Sequence, residues 1–246
     1  MLDDQSRQFF QQWYQTSLGE QLLKREIQAI NEEMDHGVGY YLSIQTPLKA
    51  LDITNHRMRE AFHIAPTLEL GAPDSSIIAR SSELPLEGDG VDLHVLHHTL
   101  DVSLEPHDDL REAARTLLPS GKLIIVGFNP WSMWGIRRVF SKRKKAPWCG
   151  RFISHARLED WLKVAGLTLE KRQFISYAPP VQSDKWRSRF HWLGQYFKFL
   201  KLPFGGVYIL TVTKETKRFI PIKPRWRGAR VRVTPLTKPT IKEISD

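Results

Sequence analysis

Three histidines, His94, His97 and His98, fall within the ten-residue stretch Val91-Asp92-Leu93-His94-Val95-Leu96-His97-His98-Thr99-Leu100. Imidazole is the side chain that changes charge near neutral pH, so His97 and His98 are the candidates for a general base acting on an oxygen or nitrogen acceptor. A strand through Val91, Leu93 and Val95 alternates its side chains between two faces. It therefore sends His94 and His97 to opposite sides and breaks up a three-histidine metal site. No companion cluster of ligands is evident, and no metal is expected. A second group, Asn129, Trp131 and Trp134, follows an apolar run at residues 123–128. These two indoles and an amide either form a substrate wall for a flat or apolar ligand or pack against the N-terminal helices. Cys149 is the sole cysteine, which rules out an internal disulfide, cannot alone make a cysteine metal cluster and fits a reducing, cytoplasmic compartment.

The elements that must hold these groups are legible between residues 75 and 130. Ile77 to Ala79 form a short apolar strand, residues 91–96 a second, and residues 123–128 a third that is apolar almost throughout, as suits a strand covered on both faces. Between the last two lies a helix. Pro106 occupies its first turn, where a missing N–H costs nothing, and Asp108 and Asp109 sit near its positive end. Leu110, Ala113, Ala114 and Leu117 make its apolar stripe, and Pro119-Ser120-Gly121 ends it. Strand, helix and strand in this order predict a parallel crossover in an α/β sheet, with ligands near the strands' carboxyl ends.

Two helices are expected before the sheet, one over residues 5–15 with Phe9, Phe10, Trp13 and Tyr14. The other begins at a Ser17/Glu20 capping box and carries Leu22, Leu23, Ile27 and Ile30. They act either as a lid on a pocket or as packing at the end of the sheet. Residues 40–44 make the first strand, and Gln45-Thr46-Pro47 follows without a glycine-rich phosphate loop, which speaks against nicotinamide, flavin or nucleotide phosphate binding. Ser154 caps a further helix ending at Gly166, and strands at 167–177 and 207–212 pair as a hairpin. No run of eighteen apolar residues spans a bilayer, and no signal peptide is visible.

The formal charge of +9 is unevenly placed: residues 214–246 hold ten Lys or Arg against three Asp or Glu, a net +7. Arg137, Arg138 and residues 142–145 form a second basic cluster. Each is either a solvated charged face or a contact for an anionic partner, nucleic acid or a membrane surface. Residues 185–200 mix basic and aromatic side chains in a pattern that suits a membrane-surface helix or a helix covering the sheet. The expected organisation is an N-terminal helical cap over 1–37, one α/β domain over 38–213 and a basic, proline-containing tail over 214–246.

Ser82-Glu83-Leu84-Pro85-Leu86, then Gly90 to Leu100, then Leu110 to Leu123 with its Leu-Leu-Pro-Ser-Gly ending resemble the class I S-adenosylmethionine-dependent methyltransferase family, in particular its UbiE-like, type 11 branch. The resemblance implies a Rossmann-like three-layer sandwich, mostly parallel, with a terminal antiparallel hairpin. It also implies S-adenosyl-L-methionine as cofactor and a small-molecule acceptor. On that pattern Ser82 and Glu83 correspond to the adenine side, His97 to a cofactor-side position after the fourth strand, and Ser43 and Gln45 to the loop that receives the methionine end. Here that loop departs from the family in lacking its acidic residue and glycines. The acidic residue after the second strand has Glu69 as a late candidate. Asn129-Pro130-Trp131 resembles the start of the Asn-Pro-Pro-Tyr motif of amino methyltransferases but follows the fifth strand, so its placement favours a substrate-side wall. A non-catalytic protein of this fold, using its basic tail on an anionic partner, is the alternative.

Overall fold

In the computed structural model the described residues are 2–34, 38–53, 57–141, 146–177, 179–180 and 203–215. Seven strands form the middle layer among them: β1 (Val38–Gln45), β2 (Arg57–Ala65), β3 (Ser76–Ile78), β4 (Val91–His97), β5 (Leu117–Phe128), β6 (Leu167–Ile175) and β7 (Val207–Lys214). Their order is β3-β2-β1-β4-β5-β7-β6. β1 to β5 pair in parallel, whereas β7 runs antiparallel to both β5 and β6. The predicted crossover is present, with α4 (Pro106–Thr116) linking neighbouring β4 and β5, and so is the terminal hairpin.

Strand alternation divides the core between two faces. Leu42, Ile44, Leu93, Val95, Ile124, Val126 and Ile209 meet α1 (Leu2–Tyr14) and α2 (Ser17–Met34) through Phe10, Trp13, Leu22, Ile30 and Met34. On the other face Leu123, Ile125, Tyr208, Leu210 and Val212 meet α4 and α6 (His155–Val164) through Leu110, Ala113, Ala114, Leu158 and Leu162. The N-terminal helices thus cover a face of the sheet instead of closing its end. Two short helices unmarked in the sequence reading, α3 (Thr99–Val102) and α5 (Met133–Phe140), follow β4 and β5.

Two local expectations change and a third holds. α2 is capped by Thr16, whose Oγ1 accepts from the Gly19 amide at 3.2 Å, and not by Ser17. α4 stops at Thr116: Leu117 leaves the helix because it pairs with Val91 in the sheet, and the turn at Ser120, φ 66°, lies inside β5. The Ser154 cap is present, accepting from the Arg157 amide at 3.3 Å. The chain divides into two units, Met1–Thr216 and Lys217–Asp246. Of the basic tail, Lys214 closes β7 and Glu215 follows it, whereas residues 216–246, with residues 142–145 and 185–200, lie outside the described residues. No helix among the described residues is long and apolar enough to cross a membrane.

Candidate functional site

Strand order reverses between β1 and β4, and the carboxyl ends of strands flanking such a reversal leave a crevice that no crossover fills. A cavity of about 380 Å³ opens there. Gln45, Thr46 and Pro47 at the end of β1 line it, with Ile64, Pro66 and Thr67 after β2, Arg80 to Ser82 after β3, and Thr99 and Val102 to Glu105 after β4. Arg7 of α1 and Asp109 of α4 complete the wall. The Thr99 hydroxyl donates to the Gln45 carbonyl at 3.0 Å and ties the two sides of the reversal together.

Two wall residues are conspicuous for bonds they do not make. Gln45 is 1% exposed, and neither its amide oxygen nor its amide nitrogen has a partner among the described residues. Arg7 is 4% exposed; its Nη2 reaches Glu69 Oε1 at 3.5 Å, while Nε and Nη1 have no partner among the described residues. Buried polar groups in folded chains are overwhelmingly hydrogen-bonded, so such a pair of orphans on one cavity wall marks a place where a ligand completes the structure. Glu69 itself is committed to α1, accepting from Gln11 Nε2 at 2.8 Å as well as from Arg7.

Behind the wall lies a buried polar cluster. Glu26 of α2 accepts from Tyr14 (3.0 Å), from His97 Nε2 (3.2 Å) and from His98 Nε2 (3.0 Å). His98 Nδ1 donates to Asp101 at 2.7 Å, and Asp101 also accepts from the Phe128 amide at 3.0 Å. His97, neutral, accepts at Nδ1 from the Thr46 hydroxyl at 2.9 Å, which joins the cluster to the cavity wall. Glu26, His97 and His98 are 0% exposed. Burial alone would lower the pKa of His98, but the Glu26 carboxylate, with Asp101 beside it, outweighs burial and pushes it up to about 9. Burial tends to raise Glu26, yet the His98 charge and the two imidazole hydrogen bonds bring it down to about 2. Burial pushes His97 down, partly offset by its bond to Glu26. His98 is thus an imidazolium between two carboxylates, held at φ 51° with the Phe128 ring stacked on it at 4.3 Å.

The sequence expectation of no companion for these histidines is corrected here: Glu26, His97 and His98 bring three ligand-type atoms within 4.8 Å of one another. Each of those atoms is already hydrogen-bonded, which makes the three an ion-pair network, while Asp101 Oδ1 beside them has no partner among the described residues. Glu26 left one signal in the sequence, a carboxylate four residues from both Leu22 and Ile30 on the buried stripe of α2. Arg7 left the same kind, three residues before Phe10 and seven before Tyr14, both buried.

Of the other residues singled out in the sequence, Gln45 and Ser82 line the cavity, while Ser43, Glu83, His97 and His98 do not. Ser43 is fully buried, pairs in register with His94 and has a hydroxyl without a partner among the described residues; Glu83 is exposed in a bridge to Arg80. Asn129 is consumed by structure, donating to the Pro203 and Gly205 carbonyls at 2.8 and 3.0 Å and accepting from the Trp131 amide at 3.0 Å. Trp134 is 1% exposed and packs with Phe128, Trp13 and Trp148 in the core, so it forms no open wall. Trp131 is 68% exposed beside a separate hollow with Arg138, Arg151 and Trp161. His94 and His97 do occupy opposite faces: His94 Nε2 meets Thr116 Oγ1 of α4 at 2.8 Å, and burial, with Lys214 adding to it, lowers its pKa to about 3.

No protein-family model matches the chain. Over 82 residues it is 42% identical to YafS of Escherichia coli (strain K12), a stretch covering 33% of this chain and 34% of YafS, so the match spans about a third of that relative's length. Among solved structures, a S-adenosylmethionine-dependent methyltransferase of Archaeoglobus fulgidus superposes with a TM-score of 0.58 at 13% identity, covering 83% of this chain and 98% of that one. One from Thermotoga maritima gives 0.56 at 17% identity, covering 87% and 100%. The [4+2]-cyclase SpnF gives 0.53 at 16% identity, covering 78% and 80%. Strand order, reversed terminal pair and these likenesses together establish that the chain has the class I S-adenosylmethionine-dependent methyltransferase fold.

Proposed function

We propose that the protein binds S-adenosyl-L-methionine in the cavity at the β1/β4 reversal and transfers its methyl group to a small acceptor. The observation that carries this reading is the cavity itself: it lies at the strand-order reversal, and its wall holds the orphaned Gln45 amide. Residues present there suit the cofactor's polar ends. Gln45 offers both a donor and an acceptor, Ser81, Ser82, Thr67 and Ser103 offer hydroxyls, and Arg7 and Asp109 offer opposite charges. Bound S-adenosylmethionine supplies an electrophilic methyl group on a sulfonium. The chain's part is then to place and to exclude water, which needs no protein nucleophile. In this reading His97 and His98 work as positioning residues: His97 holds Thr46, and with it the cavity wall, against α2.

Calorimetric titration with S-adenosylmethionine and S-adenosylhomocysteine tests the proposal. One-to-one binding of either is expected, and a folded protein that binds neither would sink it. The sealed histidines and the glycine-free loop after β1 favour a second reading, a binding protein of the same fold without turnover. S-adenosylhomocysteine binding with no methyl loss from S-adenosylmethionine across a panel of small aromatic and apolar acceptors would select it.

A further inference from the structure

The loop after β1 offers Gln45-Thr46-Pro47, with no glycine to let a ligand approach the backbone and with one N–H removed by proline. The donors missing from that loop are present on α1. Arg7 is buried to 4% exposure on the same cavity wall, and a guanidinium stays charged at any physiological pH. Its contact to Glu69, 3.5 Å from one nitrogen, is at the limit of a hydrogen bond. Among the described residues the N–H groups on Nε and Nη1 are buried and have no acceptor. A charge desolvated to this degree without a full set of acceptors is costly in the folded chain, and an anion bound in the cavity removes that cost. The wall also carries carboxylates, Glu105 and Asp109, so the cavity presents both signs, as a zwitterionic amino-acid group requires.

From these observations we infer that Arg7 is the carboxylate receptor of the cavity, binding the amino-acid end of the ligand from α1 in place of the loop after β1. This rests on the reading that the cavity takes S-adenosylmethionine, and the test separates the two. S-adenosylhomocysteine carries the amino-acid end, whereas 5′-methylthioadenosine keeps the nucleoside and thioether and lacks it. Full-length wild type, Arg7→Gln and Arg7→Lys are titrated with both ligands. Wild type is expected to prefer S-adenosylhomocysteine. Arg7→Gln is expected to lose about tenfold to a hundredfold for that ligand only, the span of a charge-assisted hydrogen bond. Its affinity for 5′-methylthioadenosine stays at the wild-type value, which also shows that it folds. Arg7→Lys keeps the charge but loses the planar donor set, so it retains part of the preference, and it decides the matter if Arg7→Gln does not fold.

An unchanged preference in either folded variant overturns the assignment of Arg7 and leaves the cofactor reading standing. Parallel loss of both ligands overturns it too, by making Arg7 a support of the fold alone. Wild type that binds neither ligand removes the cofactor reading and this inference with it.

Discussion

Glu26 serves two imidazoles and a phenol with its two oxygens, and its removal leaves His98 charged with Asp101 as its one counter-ion among the described residues. Breaking one side of a buried pair costs about 3–5 kcal/mol, so Glu26→Leu is expected to lose that much in urea unfolding, and a loss below about 1 kcal/mol would contradict the network. The pH dependence follows from the same residues. His98, at about 9 when folded against an ordinary 6.5, contributes stability that is complete below pH 6.5 and disappears as pH rises through 9. Glu26, at about 2 against 4.5, contributes stability above pH 4.5 that disappears as pH falls toward 2. His94, held near 3, adds a further loss between pH 6.5 and 3, because the unfolded chain takes up a proton that the fold excludes. Nitrogen-15 spectra of the imidazoles at pH 7 are expected to show His98 doubly protonated and His94 and His97 neutral. A neutral His98 there would remove the alkaline limb of this account.

At the scale of elements, α1 and α2 act as one piece because the turn between them brings backbone against backbone. A Cβ on Gly19 would lie 2.3 Å from the Trp13 carbonyl oxygen, so Gly19→Ala must push the helices apart. The expected loss is about 1–3 kcal/mol, read from thermal unfolding, with weaker protection of the Tyr14 and Glu26 amides in hydrogen exchange. β1 and β3 to β7, with α4 and α6, were legible in the sequence because periodicity and the Pro106, Ser154 and Gly166 signals act over a few residues. The end of α4 was not, since pairing of Leu117 with Val91, a contact 26 positions apart, overrides the helical stripe. α5 went unmarked for a local reason: its start at Met133 is set by Ser132, whose hydroxyl accepts from the Gly135 amide at 3.3 Å, in a stretch that also reads as a loop.

For the whole molecule, the charge balance separates the tail from the rest, since residues 214–246 carry +7 of a total of +9. If the tail meets nucleic acid, the logarithm of the affinity falls linearly with the logarithm of salt concentration, and deletion of residues 217–246 is expected to abolish that slope. Unchanged, salt-insensitive binding by the truncated chain would speak against an electrostatic role. The fold was legible as a whole because each crossover obeys local rules, but the candidate site was legible only in part. Gln45 and Ser82 sit on strand ends that the sequence locates; Arg7 and Glu26 come from helices whose docking no local pattern specifies. The bond from Glu26 to His98 closes a loop of 72 residues, and it can form only after β4 has paired. During synthesis α1 and α2 therefore leave the ribosome before the strands and dock late, holding an uncompensated carboxylate and an apolar face until the strands arrive. Stopped-flow kinetics should then show Glu26→Gln unfolding faster while refolding keeps its rate, and a refolding rate that falls in step with stability would instead place docking early.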